Sequence, residues 1–211
     1  MLMNFEKLYR DLGLTNNMDY YWGPEDTSVH FCEDKYARSP WIAEYFNTIS
    51  SIYYVLVGLY FLKTRISNLG QSLILVGLGA FALHMTLRVY AQMFDEIAMI
   101  ILSYDTVCHI KKTSRYWAIP IISGYIVLHE YFVYFFIFFA AAQIYLADLG
   151  LKITKGRKRW FIIGYITLFS LATICWLLDQ FACSYVKNYQ MHAFWHLFTA
   201  LAIGSGFLAL V

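Results

Sequence analysis

Long hydrophobic stretches separated by short polar connections dominate the chain after residue 42. A helix needs about 20 apolar residues to cross the hydrocarbon core of a membrane. The pattern predicts seven membrane-spanning helices, at residues 43–62, 69–87, 93–110, 117–128, 131–148, 160–178 and 191–211. The fourth and fifth belong to one apolar run, which as a single helix would be about 48 Å long against a core of about 30 Å. We therefore place a tight turn at the pair His129–Glu130, which interrupts this run.

Composition supports a membrane protein. Of the 211 residues, 60% are hydrophobic and 14% are charged, whereas soluble domains average about 45–50% apolar and about 25% charged residues. This excess excludes a single soluble core and also intrinsic disorder, which needs low hydrophobicity and high charge. Sixteen Lys and Arg residues against fourteen Asp and Glu residues form no basic stripe, which argues against a nucleic-acid partner. The fold class predicted is all-α, a polytopic membrane protein with a seven-transmembrane helix bundle.

Basic residues cluster on one side of the predicted bundle. Three short connections on that side hold ten of the sixteen: Lys63, Arg65, Lys111, Lys112, Arg115, Lys152, Lys155, Arg157, Lys158 and Arg159. The opposite connections carry only Arg88 and Lys187. Because short cytosolic loops are enriched in Lys and Arg, this side is predicted to be cytosolic. The N-terminus is then lumenal or exterior, and the C-terminus is cytosolic.

The first 42 residues are predicted to form a lumenal N-terminal segment ahead of a membrane domain at 43–211. Within this segment, apolar residues recur at helical spacing: Leu2, Phe5, Leu8, Tyr9 and Leu12. The spacing indicates a short amphipathic helix. It either lies on the membrane or packs as an ordinary helix against the rest of the protein.

Three histidines and one aspartate fall at a common depth in the predicted bundle. His192 and His196 are four residues apart at the start of the seventh span, so they share a helix face. His84 ends the second span on the same non-cytosolic side, and Asp95 opens the third. An open zinc site takes three protein ligands and leaves a position for water. We therefore expect His84, His192 and His196 to bind zinc beside the Asp95 carboxylate.

Interfacial packing and haem ligation are the alternatives to zinc binding for these histidines. A single histidine near a helix end is more often interfacial or hydrogen-bonded than a ligand, which fits His109 and His129. Two adjacent imidazoles on one helix face have little structural use in lipid, so the pair in the seventh span favours a ligand role. Haem is the rival ligand, but membrane cytochromes generally use histidines on facing helices.

Three blocks of the sequence resemble the alkaline ceramidases, seven-helix membrane hydrolases in the wider group that includes the adiponectin receptors. They are YYWGPEDTSVHFCEDKYARSPWIAEYFNTIS (20–50), GLGAFALHMTLRVYAQMFDEIAMI (77–100) and MHAFWHLFTAL (191–201). The resemblance implies zinc ligands at His84, His192 and His196 and a catalytic aspartate at Asp95. These are the four residues that the spacing also selects.

One position departs from the family pattern next to the first predicted ligand. The family normally has a serine four residues before this histidine, and here the position is Ala80. The resemblance implies that the serine supports the zinc site and the charge that develops on the substrate carbonyl. Losing one such donor costs about 10²–10³ in rate. We expect Ala80 to weaken the chemistry without removing it, because the ligands and Asp95 remain.

The resemblance also implies an N-terminal calcium site, at positions His30, Phe31, Glu33, Lys35 and Glu44. Glu33 and Glu44 keep their carboxylates and Phe31 can offer its carbonyl, but His30 and Lys35 replace an aspartate and an asparagine. Calcium takes six to eight oxygen ligands, and this set supplies few. Either the Lys35 ammonium takes the place of calcium by bridging Glu33 and Glu44, or Lys35 points to water.

Two of the four cysteines, Cys32 and Cys183, lie on the predicted lumenal side, where a disulfide can form. Such a bond would hold the N-terminal segment over the site. Cys108 and Cys175 are interpreted as packing residues. The sequence contains no CxxC pair, which excludes a zinc ribbon and a redox motif of that type.

Together these features predict a zinc-dependent membrane amidase that hydrolyses ceramide to a sphingoid base and a fatty acid in the ER or Golgi. The main alternative is a weak or inactive relative that binds lipid as a receptor or scaffold, and a lipid amidase or esterase with another substrate is the third interpretation. Ala80 and the altered calcium positions favour this alternative. The intact set of His84, His192, His196 and Asp95 opposes it. No sequence feature identifies a protein partner.

Overall fold

The computed structural model of the protein describes residues 21–114, 116 and 118–211. The predicted amphipathic helix within residues 1–12 lies outside this part. Ten helical elements follow one another in the described residues: α1 (Tyr45–Ser50), α2 (Ile52–Phe61), α3 (Ser67–Thr86), α4 (Val89–Lys111), α5 (Ala118–Leu128), α6 (Phe132–Ile153), α7 (Arg157–Phe181), α8 (Cys183–Val186), a 3₁₀ turn (Lys187–Tyr189) and α9 (Met191–Leu210). The predicted all-α class is confirmed, with the tight turn between α5 and α6 at residues 129–130.

Four of these helices are long and apolar enough to cross a membrane: α3, α6, α7 and α9. The other predicted spans depart from an ideal crossing in different ways. The first is divided at Ser51 into α1 and α2, α4 carries Asp95, Glu96 and Asp105, and α5 has 11 residues. The structure therefore defines a helical membrane protein, while seven crossings stay a prediction.

The helices pack closely where small residues meet. α7 makes its largest contact with α9, and α3 lies between α2 and α4. Gly58 and Gly70 bring α2 and α3 together, since a Cβ added to Gly58 would lie 2.7 Å from the carbonyl oxygen of Gly70. Close approach through small residues is typical of helix pairs in membranes. A core of large buried side chains, including Tyr54, Phe61 and Phe207, fills the bundle.

The N-terminal segment docks on the end of the bundle where α3 finishes and α4 begins. The backbone N–H groups of Ala43 and Glu44 donate to the carbonyls of Met85 and His84, at 3.0 and 2.9 Å. Asp26 caps the start of α4, where its Oδ1 accepts from the Val89 N–H at 2.6 Å. The segment thereby covers the end of the bundle that carries the predicted zinc ligands.

Candidate metal centre

The structure brings His84, His192 and His196 into one buried cluster. Each contributes a nitrogen that lies within 4.8 Å of the other two. Their side chains are 1%, 4% and 2% exposed, respectively. The three rings come from the last turn of α3 and the first two turns of α9. A separation of four residues places His192 and His196 on one face of α9, as the sequence predicts.

Glu44 fixes the tautomer of His84. The Nδ1 of His84 lies 2.6 Å from Oε2 of Glu44, whose side chain is fully buried. A carboxylate only accepts hydrogen bonds, so Nδ1 carries the proton and Nε2 keeps its lone pair. A carboxylate behind a histidine ligand is the usual outer partner of a protein zinc site.

Ser50 fixes the tautomer of His196. Its hydroxyl donates to the carbonyl of Asn47 at 3.0 Å and lies 2.8 Å from Nδ1 of His196. Because the hydroxyl proton is already used, the serine oxygen accepts from Nδ1–H and leaves Nε2 free. The Nδ1 atom of His192 has no hydrogen-bond partner among the described residues. This donor set fits zinc, which binds neutral imidazole nitrogens.

Asp95 lies on the wall of the same cavity as the three histidines. Its side chain is 8% exposed, and its Oδ1 has no hydrogen-bond partner in the part of the chain that the structure describes. Gly79 allows this placement, since a Cβ there would lie 2.7 Å from the Asp95 Cα. Ala80 also lines the cavity and is buried. The departure from the family pattern therefore lies inside the candidate site.

Lys35 links the N-terminal segment to Glu44, the residue that contacts the histidine cluster. Its Nζ donates to the Phe31 carbonyl at 2.9 Å and forms a hydrogen-bonded ion pair with the Glu44 carboxylate. The side chain is 23% exposed, so it does not point freely to water. His30 lies apart from this contact, with an exposed ring paired to Glu25 at 2.9 Å.

Among the hydrogen bonds of the described residues, Lys35 bonds to Glu44 but not to Glu33. This differs from the prediction that Lys35 bridges the two carboxylates. The two carboxylate oxygens of Glu33 instead accept the backbone N–H groups of Phe46 and Asn47, at 2.7 and 2.9 Å. These are first-turn donors of α1 that have no partner within the helix. Burial raises the pKa of the Glu33 carboxyl, and the two backbone hydrogen bonds act in the opposite direction.

A disulfide joins Cys32 to Cys183, with their Cα atoms 5.4 Å apart. Next to it, the backbone N–H of Cys32 donates to Asp179 Oδ2 at 3.3 Å, at the end of α7. Cys108 and Cys175 are free thiols. The disulfide and hydrogen bond hold the N-terminal segment across the bundle end, and the Phe31 ring lies 4.3 Å from the His192 ring.

Four contributions to the site were not found by sequence reasoning. Glu44 orients a histidine, Ser50 orients another, Gly79 admits Asp95, and the Phe31 ring covers the cluster. A small or hydroxyl residue inside an apolar run is a weak signal for such roles, because ordinary packing uses the same residues.

Fold and site together define a helical membrane protein with a buried three-histidine centre and an adjacent carboxylate. Comparison with known proteins gives the family, since a match to the ceramidase family spans residues 23–210. The chain belongs to the ceramidase family.

Similarity to named relatives extends over most of the chain. It is 25% identical to an alkaline ceramidase of Arabidopsis thaliana, with 88% of this chain and 83% of the relative covered. It is 24% identical to alkaline ceramidase 3 of Mus musculus, covering 86% and 81%. It is 23% identical to an alkaline ceramidase of Drosophila melanogaster, covering 85% and 74%.

Proposed function

We propose that this protein is a zinc-dependent amidase that hydrolyses ceramide to a sphingoid base and a fatty acid. One observation carries the proposal. His84, His192, His196 and Asp95 line a single buried cavity in a chain that belongs to the ceramidase family. Three buried imidazoles beside a carboxylate suit hydrolytic metal chemistry better than helix packing, because ionisable groups inside a membrane are costly.

The three histidines would hold zinc, which when bound would lower the pKa of water and polarise a carbonyl. Glu44 and Ser50 keep His84 and His196 in the tautomer that presents Nε2. Asp95 then takes the proton from the attacking water and delivers it to the nitrogen of the departing amine. Its unpartnered Oδ1 faces no competing donor from the described residues, so the atom is available for this transfer.

A second, larger cavity offers room for the lipid chains. Four residues border both this cavity and the histidine site: Tyr54, Val76, Met99 and Trp195. The remaining walls are mostly apolar side chains of α4, α6, α7 and α9. An apolar cavity that continues from a polar reaction centre suits an amide substrate with long hydrocarbon chains.

Topology and location complete the proposal. Seven crossings with residues 43–211 in the membrane, a lumenal N-terminal segment and a cytosolic C-terminus agree with the distribution of basic loops. A disulfide between Cys32 and Cys183 suits an oxidising lumen, so we place the protein in the ER or Golgi, in sphingolipid metabolism.

We also propose that the Lys35 ammonium stands in for calcium between the Phe31 carbonyl and the Glu44 carboxylate. Glu33 retains a structural role at the start of α1 instead of serving as a ligand. Melting temperature and activity are then expected to be the same with and without added calcium at constant zinc. An increase specific to calcium would contradict this substitution.

The decisive experiment compares three forms of the purified protein: wild type, Ala80→Ser and Asp95→Asn. Zinc content is measured first, and release of sphingoid base from ceramide is then assayed. Zinc-loaded wild type should hydrolyse ceramide, Ala80→Ser should be up to about 10²–10³ faster, and Asp95→Asn should lose activity with its zinc retained. Wild type that binds zinc yet is as inactive as Asp95→Asn would support a lipid-binding relative without catalysis.

A further inference from the structure

Glu96 is a second buried carboxyl in the candidate site, and the chemistry proposed above does not use it. It follows Asp95 on α4, lines the same cavity, and is 3% exposed. Burying a carboxyl among apolar helices is costly unless its oxygens find partners. A residue kept here despite that cost needs an explanation in terms of binding or packing.

One oxygen of Glu96 is held firmly in place. Gln92, one turn earlier on α4, donates from Nε2 to Oε1 of Glu96 at 2.7 Å. The same amide is fixed by Ser28 of the N-terminal segment, whose backbone N–H donates to Gln92 Oε1 at 2.8 Å. This chain of hydrogen bonds sets the orientation of the Glu96 carboxyl, so its other oxygen has a defined position.

The other oxygen, Oε2, is buried and has no hydrogen-bond partner among the residues that the structure describes. The Tyr125 hydroxyl of α5 lies beside this carboxyl, and it too lacks a well-formed hydrogen bond within the described residues. A buried acceptor and a buried hydroxyl placed together are the groups that bind a ligand hydroxyl, which both donates and accepts. Nearby cavity walls at Phe132, Phe135 and Trp176 offer neither a carboxyl nor a hydroxyl group.

We propose that Glu96, supported by Tyr125, binds a hydroxyl on the amine half of the substrate. This inference rests on the proposed function, in which Asp95 protonates the departing amine. The amine half must then lie on the Asp95 side of the cavity, where Glu96 is the next residue of the helix. A sphingoid base carries hydroxyls on the two carbons that flank its amine-bearing carbon. The site is thereby selective for amides of amino-alcohols over amides of plain alkylamines.

Kinetics with three amides of equal chain length test the assignment. They are a ceramide, an N-acyl alkylamine that lacks both base hydroxyls, and a 2-hydroxyacyl amide of that alkylamine. Wild type should prefer the ceramide at least tenfold in kcat/KM, because a site built for a hydroxyl discriminates against substrates without one. Glu96→Gln should reduce this preference about tenfold by slowing ceramide hydrolysis alone, since the Gln oxygen stays with the Gln92 amide and an N–H₂ group then takes the Oε2 position, where it cannot accept from the ligand hydroxyl. Tyr125→Phe should act in the same direction.

Asp105→Asn provides the matched control. Asp105 is a buried carboxyl further along α4, bonded to Ser72 and outside the histidine cavity. The same isosteric change there should leave the substrate preference intact. A second readout does not depend on turnover: sphingosine should raise the melting temperature of metal-free protein more than octadecylamine does. Glu96→Gln should remove that difference.

Several results separate this inference from the proposed function. Equal losses on ceramide and N-acyl alkylamine in Glu96→Gln, with equal thermal shifts, would overturn hydroxyl recognition and leave an amidase. A gain from the 2-hydroxyacyl group that depends on Glu96 would overturn the assignment to the amine half. Sphingosine selectivity that depends on Glu96 in a protein inactive on every amide would support recognition while refuting the amidase.

Discussion

Replacing Glu44 by Gln tests the link between the N-terminal segment and the histidine cluster. The fully buried carboxylate accepts from His84 Nδ1 at 2.6 Å and from Asn47 Nδ2 at 3.0 Å, and it pairs with the Lys35 ammonium. Glutamine has the same shape but offers one acceptor oxygen and brings an amide N–H₂ group towards these donors. The substitution therefore removes the negative charge and leaves donors without acceptors.

The expected effect on metal binding follows from the contact with His84. Changes to the partners of zinc-bound histidines cost 10–100-fold in metal affinity, or about 1.4–2.8 kcal/mol. Stability should fall as well, by about 1–3 kcal/mol for a buried donor that loses its acceptor. The lower part of that range is expected for Lys35, because its side chain is 23% exposed and can move towards water.

A double-mutant cycle with Lys35→Met separates the two effects. Zinc affinity is measured by competition with a chelator, and unfolding is followed in detergent for wild type, both single variants and the double variant. Removing both charges should recover only the share of the lost stability that came from the unpaired Lys35 ammonium, because His84 and Asn47 still lack their acceptor. Zinc affinity should stay low in the double variant, since His84 still lacks its carboxylate. Wild-type zinc affinity in Glu44→Gln would refute the role of Glu44 in orienting His84.

Three further changes test other parts of the site. Gly79→Ala places a Cβ 2.7 Å from the Asp95 Cα, so α3 and α4 must separate, and ceramide hydrolysis should fall at least tenfold while helix content by circular dichroism is retained. Ser50→Ala removes the acceptor for His196 Nδ1 and should weaken zinc binding about tenfold in the chelator assay, whereas Ser50→Thr should restore it. Reducing the disulfide, which closes a loop across a sequence separation of 151 residues, should lower stability by about 2–4 kcal/mol; an unchanged unfolding midpoint under reducing conditions would argue against its role in holding the segment.

The helical class and the residues of the centre follow from local pattern. Apolar runs predict the helices, and the HxxxH spacing places two imidazoles on one face of α9 whatever surrounds it. The alternation of basic and non-basic connections then predicts that His84 and Asp95 lie at the same membrane depth as these two imidazoles. The division of the first span at Ser51 was not predicted, because hydropathy averaged over 20 residues does not show a break inside an apolar run.

The sequence alone determined that this chain forms membrane-embedded helices with three histidines and an aspartate at one depth, because hydropathy and helical period are local properties. Only the tertiary structure decided which groups stand behind His84 and His196. Glu44 reaches His84 across 40 residues, and Ser50 reaches His196 across 146. It likewise placed the Lys35 ammonium on Glu44 and left one Glu96 oxygen buried without a partner among the described residues. Such contacts depend on how helices approach and rotate against one another, and in a single sequence every polar residue inside an apolar run has several neighbours it could meet.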